Sequence, residues 1–421
     1  MTKQRNWAGN YTYHASNWHI PESVEEIQRL VKKCNRLKVV GSRHSFNHIA
    51  DSNEHIVSLE QLNRVIDFDK EKQKITVEAG MKYSDVCQYL GETGLALHNL
   101  ASLPHISVAG ACATATHGSG DKNGNLATIV SGIEFVNGNG EIITLTREEH
   151  EEEMRGLSVS LGAFGIITKL TLDLIPDFQV RQVVYQNLSF HEFYQYYDEI
   201  YASAYSVSLF TDWQEERFNQ VWLKQTITEQ DAVELNTDFY GAELANVNLH
   251  PISGHGAEHC TEQLGVLGPW HDRLAHFKMN FTPSSGKELQ SEYILSRHHI
   301  SDAMKKLNGL RDEIAPLLLV SELRSIKADD LWMSMNYKQD SIGIHFTWKD
   351  LWNEVKLVLP KIEAVLEPFQ PRPHWGKLFT MDPTKLQTRY KQLPAFRQLV
   401  RKYDPDGKFR NEFLKQYIFE K

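Results

Sequence analysis

Apolar and polar residues alternate one by one along several short stretches of the chain. This is the two-residue period of a half-buried strand. Lys74-Ile75-Thr76-Val77-Glu78-Ala79-Gly80 follows it. So does Ser341-Ile342-Gly343-Ile344-His345-Phe346-Thr347-Trp348. There Ile342, Ile344, Phe346 and Trp348 share one face, while Gly343, His345 and Thr347 share the other. In Leu319-Val320-Ser321-Glu322-Leu323-Arg324-Ser325-Ile326 the same period puts Glu322 and Arg324 side by side. The aliphatic run Leu317 to Val320 next to them predicts burial. Buried charges are costly unless paired or used. A sheet with an apolar back and a front of Glu, Arg, His and Thr predicts the wall of a polar-ligand pocket.

Other elements follow from caps and turns. Pro21 to Lys33 reads as a helix, with Pro21 in its first turn, Glu22, Glu25 and Glu26 at its positive end and Lys32 and Lys33 at its negative end. Lys38 to Val40 reads as a strand, and Ser84 to Leu90 as a helix that stops before Gly91. Asn137-Gly138-Asn139-Gly140 between two apolar runs signals a hairpin. Leu161 to Leu172 reads as a glycine loop entering a strand, and Pro176 closes the first half. From Phe178 the aromatic density rises, with strands expected at Val207 to Phe210 and Gln220 to Leu223 and a helix at Asp302 to Leu310.

With 421 residues the chain exceeds one ordinary core, so at least two domains are expected. A hydrophobic content of 41% and a charged content of 24% are those of a globular protein. The net charge of −9 comes without a basic stripe, so no nucleic-acid partner is expected. No apolar run reaches membrane-spanning length, and Met1 to Trp7 has no signal-peptide core. Cys34, Cys87, Cys112 and Cys260 are widely spaced without a CxxC pair, which predicts reduced thiols in the cytoplasm. Glu148 to Glu153 reads as a solvated helix start or loop.

Two small-residue loops carry the candidate chemistry. Val40-Gly41-Ser42-Arg43-His44-Ser45-Phe46 sets a histidine in a tight turn after an apolar run. Ser102 to Gly120 includes Ser107, Gly110 and Thr114-Ala115-Thr116-His117-Gly118. Small residues let backbone N–H groups approach a pyrophosphate, and hydroxyls add donors. Alone, His44 reads as a turn histidine bonded to local backbone, and Ala109 to Ala115 as a buried alanine segment. No GxGxxG follows a strand with an acid beyond it, so a nicotinamide dinucleotide is disfavoured. His374-Trp375-Gly376-Lys377 reads equally as a surface turn or as a lysine aimed at substrate. His250, His255, His259 and Cys260 are dense enough to suggest zinc. Pro251, Gly254 and Gly256 break the helix such a site would need, so no metal is expected.

Together these motifs resemble the vanillyl-alcohol-oxidase-like flavoproteins, and most closely their alditol oxidase and sugar-lactone oxidase branch. The resemblance runs from Asn6-Trp7-Ala8-Gly9-Asn10 through Gly286 to Tyr293 and on to Phe409-Arg410-Asn411-Glu412-Phe413. It implies an α+β fold: a two-subdomain FAD domain over 1–177, an α+β cap on a large antiparallel sheet over 178–370, and a segment 371–421 returning to the flavin. It implies covalent FAD on His44. It implies that Gly41, Ser42, Arg43, His44, Ser45, Ser102, Ser107, Gly110, Thr114, Ala115, Thr116, His117, Gly118, Gly165 and Ile166 hold the cofactor. Ser102, Glu322, Arg324, Thr347 and Lys377 would bind a polyol, with Lys377, Arg324, Glu322 and His345 catalytic. Arg43 departs from the small residue often found there in relatives. The implied reaction oxidises a terminal primary alcohol of xylitol or sorbitol type, transfers hydride to flavin N5 and forms hydrogen peroxide from dioxygen, in a monomer. An aldonolactone oxidase or dehydrogenase, and a flavin- or carbohydrate-binding protein without turnover, are the competing readings. Ala101, small but not glycine, leaves the electron acceptor open.

Overall fold

A computed structural model describes residues 4–227, 235–281 and 287–420. Gly286 of the motif above lies outside them, as do residues 1–3. The elements fall into three main sheets. Strands Asn17–His19, His55–Ser58 and Leu37–Val40 form a small parallel sheet. Strands Val65–Asp69, Lys74–Glu78, Gly165–Asp173, Val130–Asn137 and Ile142–Thr146 form an antiparallel one. The expected hairpin is the last pair, with Val136 opposite Ile142. A ten-stranded sheet takes its strands from Gln179 to Pro373. The fold class is the expected α+β one, with a large antiparallel sheet.

The first helix is shorter than its pattern suggested. It spans Val24–Lys33, and Ser23 caps it by accepting from the Glu26 N–H at 3.3 Å. A serine hydroxyl satisfies an orphan amide, which Pro21 cannot do, so Ser23 sets the start. The helix at Glu151–Leu157 does begin in the acidic run.

Two cores result. One unites both small sheets with the C-terminal helices, burying Ile27, Val77, Ile133 and Leu170 with Phe396 and Phe413. The other lies behind the large sheet and includes Leu323, Ile342, Ile344, Phe346 and Trp348. The apolar back read from the 341–348 alternation is this second core. At about 25 cal/mol per Å² of apolar surface, each such side chain stabilises the fold by roughly 1.5–3 kcal/mol. That fixes the opposite face of the strand. Among the described residues, no helix is long and apolar enough to cross a membrane.

Candidate active site

Three neighbouring strands of the large sheet build one wall. Leu318–Ile326 pairs with Ser341–Lys349, and that strand pairs with Glu288–Ser296. The register puts Glu322 opposite His345, and His345 opposite Glu292. Thr347 stands opposite Gln290 in the adjoining row. All five side chains line a cavity of about 530 Å³.

Charge is concentrated and dry. Glu322 and Arg324 are each 5% exposed, and Glu292 is 1% exposed. Glu292 is the hub, with Lys377 Nζ at 2.5 Å, Arg324 Nη2 at 3.1 Å and His117 Nε2 at 3.2 Å. Burial pushes its carboxyl up, but Lys377, His117 and Arg324 outweigh this and hold it well below the usual carboxylate range. Burial lowers Lys377 from its ordinary value, with Glu292 opposing. His345 is bracketed, its Nδ1 2.8 Å from Lys377 Nζ and its Nε2 3.0 Å from Thr347 Oγ1. Burial, with Lys377 adding to it, pulls His345 down to about 4, so its ring is neutral at pH 7. A neutral ring accepts from Lys377 at Nδ1 and donates to Thr347 from Nε2.

Lys377 arrives from the far end of the chain. Strand Arg372–Pro373 pairs with Tyr293, and the His374 N–H donates to Glu292 O at 3.0 Å. The turn closes when the Lys377 N–H donates to His374 O at 3.0 Å. Trp375 is fully buried and its indole donates to Met333 O at 2.8 Å, so the tetrapeptide is no surface turn.

The two small-residue loops form the opposite wall. Ser42 Oγ accepts from the Ser107 N–H at 3.0 Å, and Ser107 Oγ accepts from the Ser42 N–H at 3.3 Å. A Cβ on Gly41 would stand 1.9 Å from Ser107 Oγ, so only glycine permits this approach. Arg43 (φ +61°) and Ala115 (φ +54°) occupy left-handed backbone. His44 Nδ1 is 2.9 Å from Ser42 Oγ and the ring stacks on Trp7 at 5.0 Å. Burial brings His44 down to about 4, leaving a neutral, nucleophilic imidazole. Arg43 donates to the Gln4 side chain at 3.0 Å.

The cavity is therefore lined at once by Gly41, Ser42, Arg43, His44, Ser45, Ser102, Ser107, Gly110, Thr114, Thr116, His117 and Gly165. Three expected cofactor contacts do not line it. Ile166 points into the core and its neighbour Ile167 takes the cavity side, as strand alternation dictates. Ala115 is fully buried, and Gly118 lies against Leu100 O and Asn99. The residues fit FAD: small side chains, hydroxyl donors, Lys38 and a neutral His44 border the same cavity as the charged sheet.

Sequence reasoning missed Glu292, His276 and Lys224 as site residues. Glu292 carried a signal, since Glu288, Gln290 and Glu292 share one parity in their strand. His276 carried none. Its Nε2 is 2.7 Å from Glu322 Oε1, and its segment is held by Lys224, which donates to the carbonyls of Arg273, Leu274 and Ala275 at 2.7 Å each. The cluster His250, His255, His259 and Cys260 does not converge. His250 stacks on His255 and both line the cavity, while His259 stacks on Phe281.

Comparison with known proteins agrees with this geometry. Residues 18–146 match an FAD binding domain model, and 275–417 match that of D-arabinono-1,4-lactone oxidase. A cholesterol oxidase from B. sterolicum superposes with a TM-score of 0.76 at 14% identity, covering 99% of this chain and 96% of its own. Fold and cavity define an FAD-dependent oxidoreductase. An alditol oxidase from Streptomyces sp. (strain IKD472 / FERM P-14339) is 43% identical over 420 residues, 99% of both chains. An L-gulonolactone oxidase of Scyliorhinus torazame is 26% identical over 98% of both. The chain belongs to the alditol oxidase family.

Proposed function

We propose that the protein oxidises the terminal primary alcohol of a linear polyol, of xylitol or sorbitol type, to the aldose. FAD is bonded covalently to His44, and dioxygen takes the electrons to give hydrogen peroxide. The observation that carries this reading is the buried row of Glu322, Arg324, His345 and Thr347, with the largely covered Lys377 beside it, on one cavity with the loop wall. Bound there, FAD supplies the hydride acceptor and the route to dioxygen.

The chain's own residues do the rest. A polyol presents a ladder of hydroxyls, and the wall offers cations, a carboxylate and two hydroxyls to match them. Arg324, 3.4 Å from Ser102 Oγ, and Glu322 fix the hydroxyls beyond the reacting carbon. Their rigidity under hydrogen bonds supplies positioning, which is worth several kcal/mol of barrier, roughly 7–11 in well-oriented reactions. Lys377 donates to Glu292 and to His345, so its remaining position, a lone pair once deprotonated, faces the cavity. Burial works towards that neutral form, with the Glu292 carboxylate opposing it. Lys377 Nζ then takes the hydroxyl proton as the hydride departs, and Glu292 stabilises the ammonium formed. All four cysteines are free and buried, which supports a cytoplasmic setting, and we read the active unit as a monomer.

The lactone-oxidase model matching 275–417 favours an aldonolactone as the second reading. An anaerobic visible spectrum with xylitol separates the two. Bleaching of the flavin band at about 450 nm, a property of the cofactor, is expected. Bleaching by an aldonolactone and by no polyol would select the second reading instead. His44→Ala protein should release its FAD on acid denaturation, whereas wild-type precipitate stays yellow. Flavin still attached in the variant would place the bond elsewhere.

A further inference from the structure

On the far side of the small parallel sheet, His19, Cys34 and His55 converge from three elements. His19 ends strand Asn17–His19, Cys34 caps the C-terminus of helix Val24–Lys33, and His55 begins strand His55–Ser58. Their ligand atoms all lie within 4.8 Å of one another. The register, with Asn17 opposite His55 and His19 opposite Val57, gives both imidazoles the parity of Val57. Val57 is fully buried in the core that Ile27, Val31 and Cys34 share. Both rings therefore project from the helix-covered face of the sheet, at its rim. None of the three lines the flavin cavity.

We infer that His19, Cys34 and His55 form a zinc(II) site, separate from the flavin chemistry. His19 Nε2 and His55 Nδ1 stand 3.0 Å apart. Two nitrogens on one tetrahedral zinc, each about 2.0–2.1 Å from it, are separated by about 3.4 Å. The imidazole pair is thus close to ligand spacing already. A neutral imidazole pair in contact shares a single proton, and a cation placed between the rings and the sulfur satisfies both nitrogens at once. One thiolate and two imidazoles form a borderline-soft donor set, which suits zinc and not magnesium or calcium. Cys34 stands at the negative end of a ten-residue helix, where a cation is stabilised. Cys34 is 4% exposed, while His19 and His55 are half-buried, so the metal enters from the solvent side of the imidazoles.

Binding forms one Zn–S and two Zn–N bonds. The Cys34 thiol proton passes to solvent, and the proton shared by the rings moves through solvent to a far ring nitrogen. Water fills the fourth position. The site ties the first strand and the first helix to the sheet whose strand Leu37–Val40 leads directly into the His44 turn.

The test uses full-length, FAD-loaded protein stripped with a chelator, incubated with zinc sulfate alone and desalted. Elemental analysis should find about one zinc per chain, in keeping with a single three-ligand site. X-ray absorption at the zinc edge should show sulfur at about 2.3 Å and nitrogen at about 2.0 Å. Zinc should raise the melting temperature, since a ligand bound only to the folded state stabilises it. His19→Ala/His55→Ala should lose both the zinc and the shift, and Cys34→Ser should lose the sulfur signal. Because Cys34 is buried, His55→Gln serves if Cys34→Ser fails to fold, and it too should lose zinc. Wild-type protein that retains no zinc, or His55→Gln that retains as much as wild type, overturns the inference.

Discussion

Lys377 and Glu292 show how much one contact decides. Glu292 is a carboxylate with no exposed side-chain surface, charged because cations surround it. Lys377→Ala removes the nearest of them along with the proton acceptor we propose. Loss of general-base catalysis costs about 10²–10⁴-fold, so flavin reduction by xylitol in stopped flow should fall by at least that range while the protein stays yellow. A reduction rate within threefold of wild type, in the sense of a negligible barrier change, would remove Lys377 from the chemistry. The variant also leaves a buried charge short of a partner, which typically costs about 3–5 kcal/mol. Its melting temperature should therefore drop, and Lys377→Arg should recover stability better than activity.

At the scale of the strand, the most telling position is Gly343. It lies on the polar front between Arg324 and Ile294, one register step from His345. A Cβ there would stand 3.0 Å from Glu292 Oε1 and 3.4 Å from His117 Cε1. Gly343→Ala should press on Glu292 Oε1, the oxygen that meets Arg324 Nη2 and His117 Nε2, without touching the core behind the sheet. We expect kcat to fall about tenfold or more, as a lost charge-assisted contact of roughly 1.5–3 kcal/mol implies, with the circular dichroism spectrum unchanged. Wild-type kcat would show that the carboxylate has room to move.

Strands were also where the sequence was most legible. Two-residue alternation predicted the apolar and polar faces of Ser341 to Trp348 and put Glu322 and Arg324 on one face, because parity is a local property, and the aliphatic run beside them predicted their burial. Glu288, Gln290 and Glu292 have the same parity signal but were not singled out as site residues. Nothing local says that a strand with two glutamates faces inward, since that depends on Lys377 and Arg324 arriving from distant segments. His276 was invisible for the same reason. The small-residue loops and the His374 to Lys377 turn were legible as motifs, yet that they meet is a fact of three dimensions.

For the molecule as a whole, buried histidines set the response to acid. His276 and His345 are buried and His98 is half-buried, and all three are brought down to about 4 from an ordinary 6.5, in each case first by desolvation. Between those values the unfolded chain binds protons that the folded chain refuses, so stability rises with pH and is lost as pH falls through 6.5 towards 4. Each contributes on the order of 3 kcal/mol at the bottom of the window. Asp329, raised to about 6 by burial, and Glu288 and Glu363, also raised by burial, act in the opposite sense. Glu292 and Glu322, held low by their cations despite burial, add to the acid loss. Calorimetry should find a melting temperature that falls steadily from pH 7 to pH 4.5. A flat profile would mean that the carboxyls cancel the histidines.

The His44 turn is completed from the opposite end of the chain. Asn47 Nδ2 donates to Trp375 O at 2.9 Å and to Lys377 O at 2.8 Å, across 330 positions, and the Phe46 N–H donates to Gly376 O at 2.7 Å. Asn411 then clasps the carbonyls of His48, Ile49 and Asp51. Contacts between such distant positions form late, because the long intervening loop must close first. During translation the N-terminal sheets emerge early, but the shell around His44 waits for partners 328 and 330 positions downstream of Asn47. The wall around His44 thereby depends on the segment at 375–377, and a chain that stops short of it lacks the contacts that close the turn.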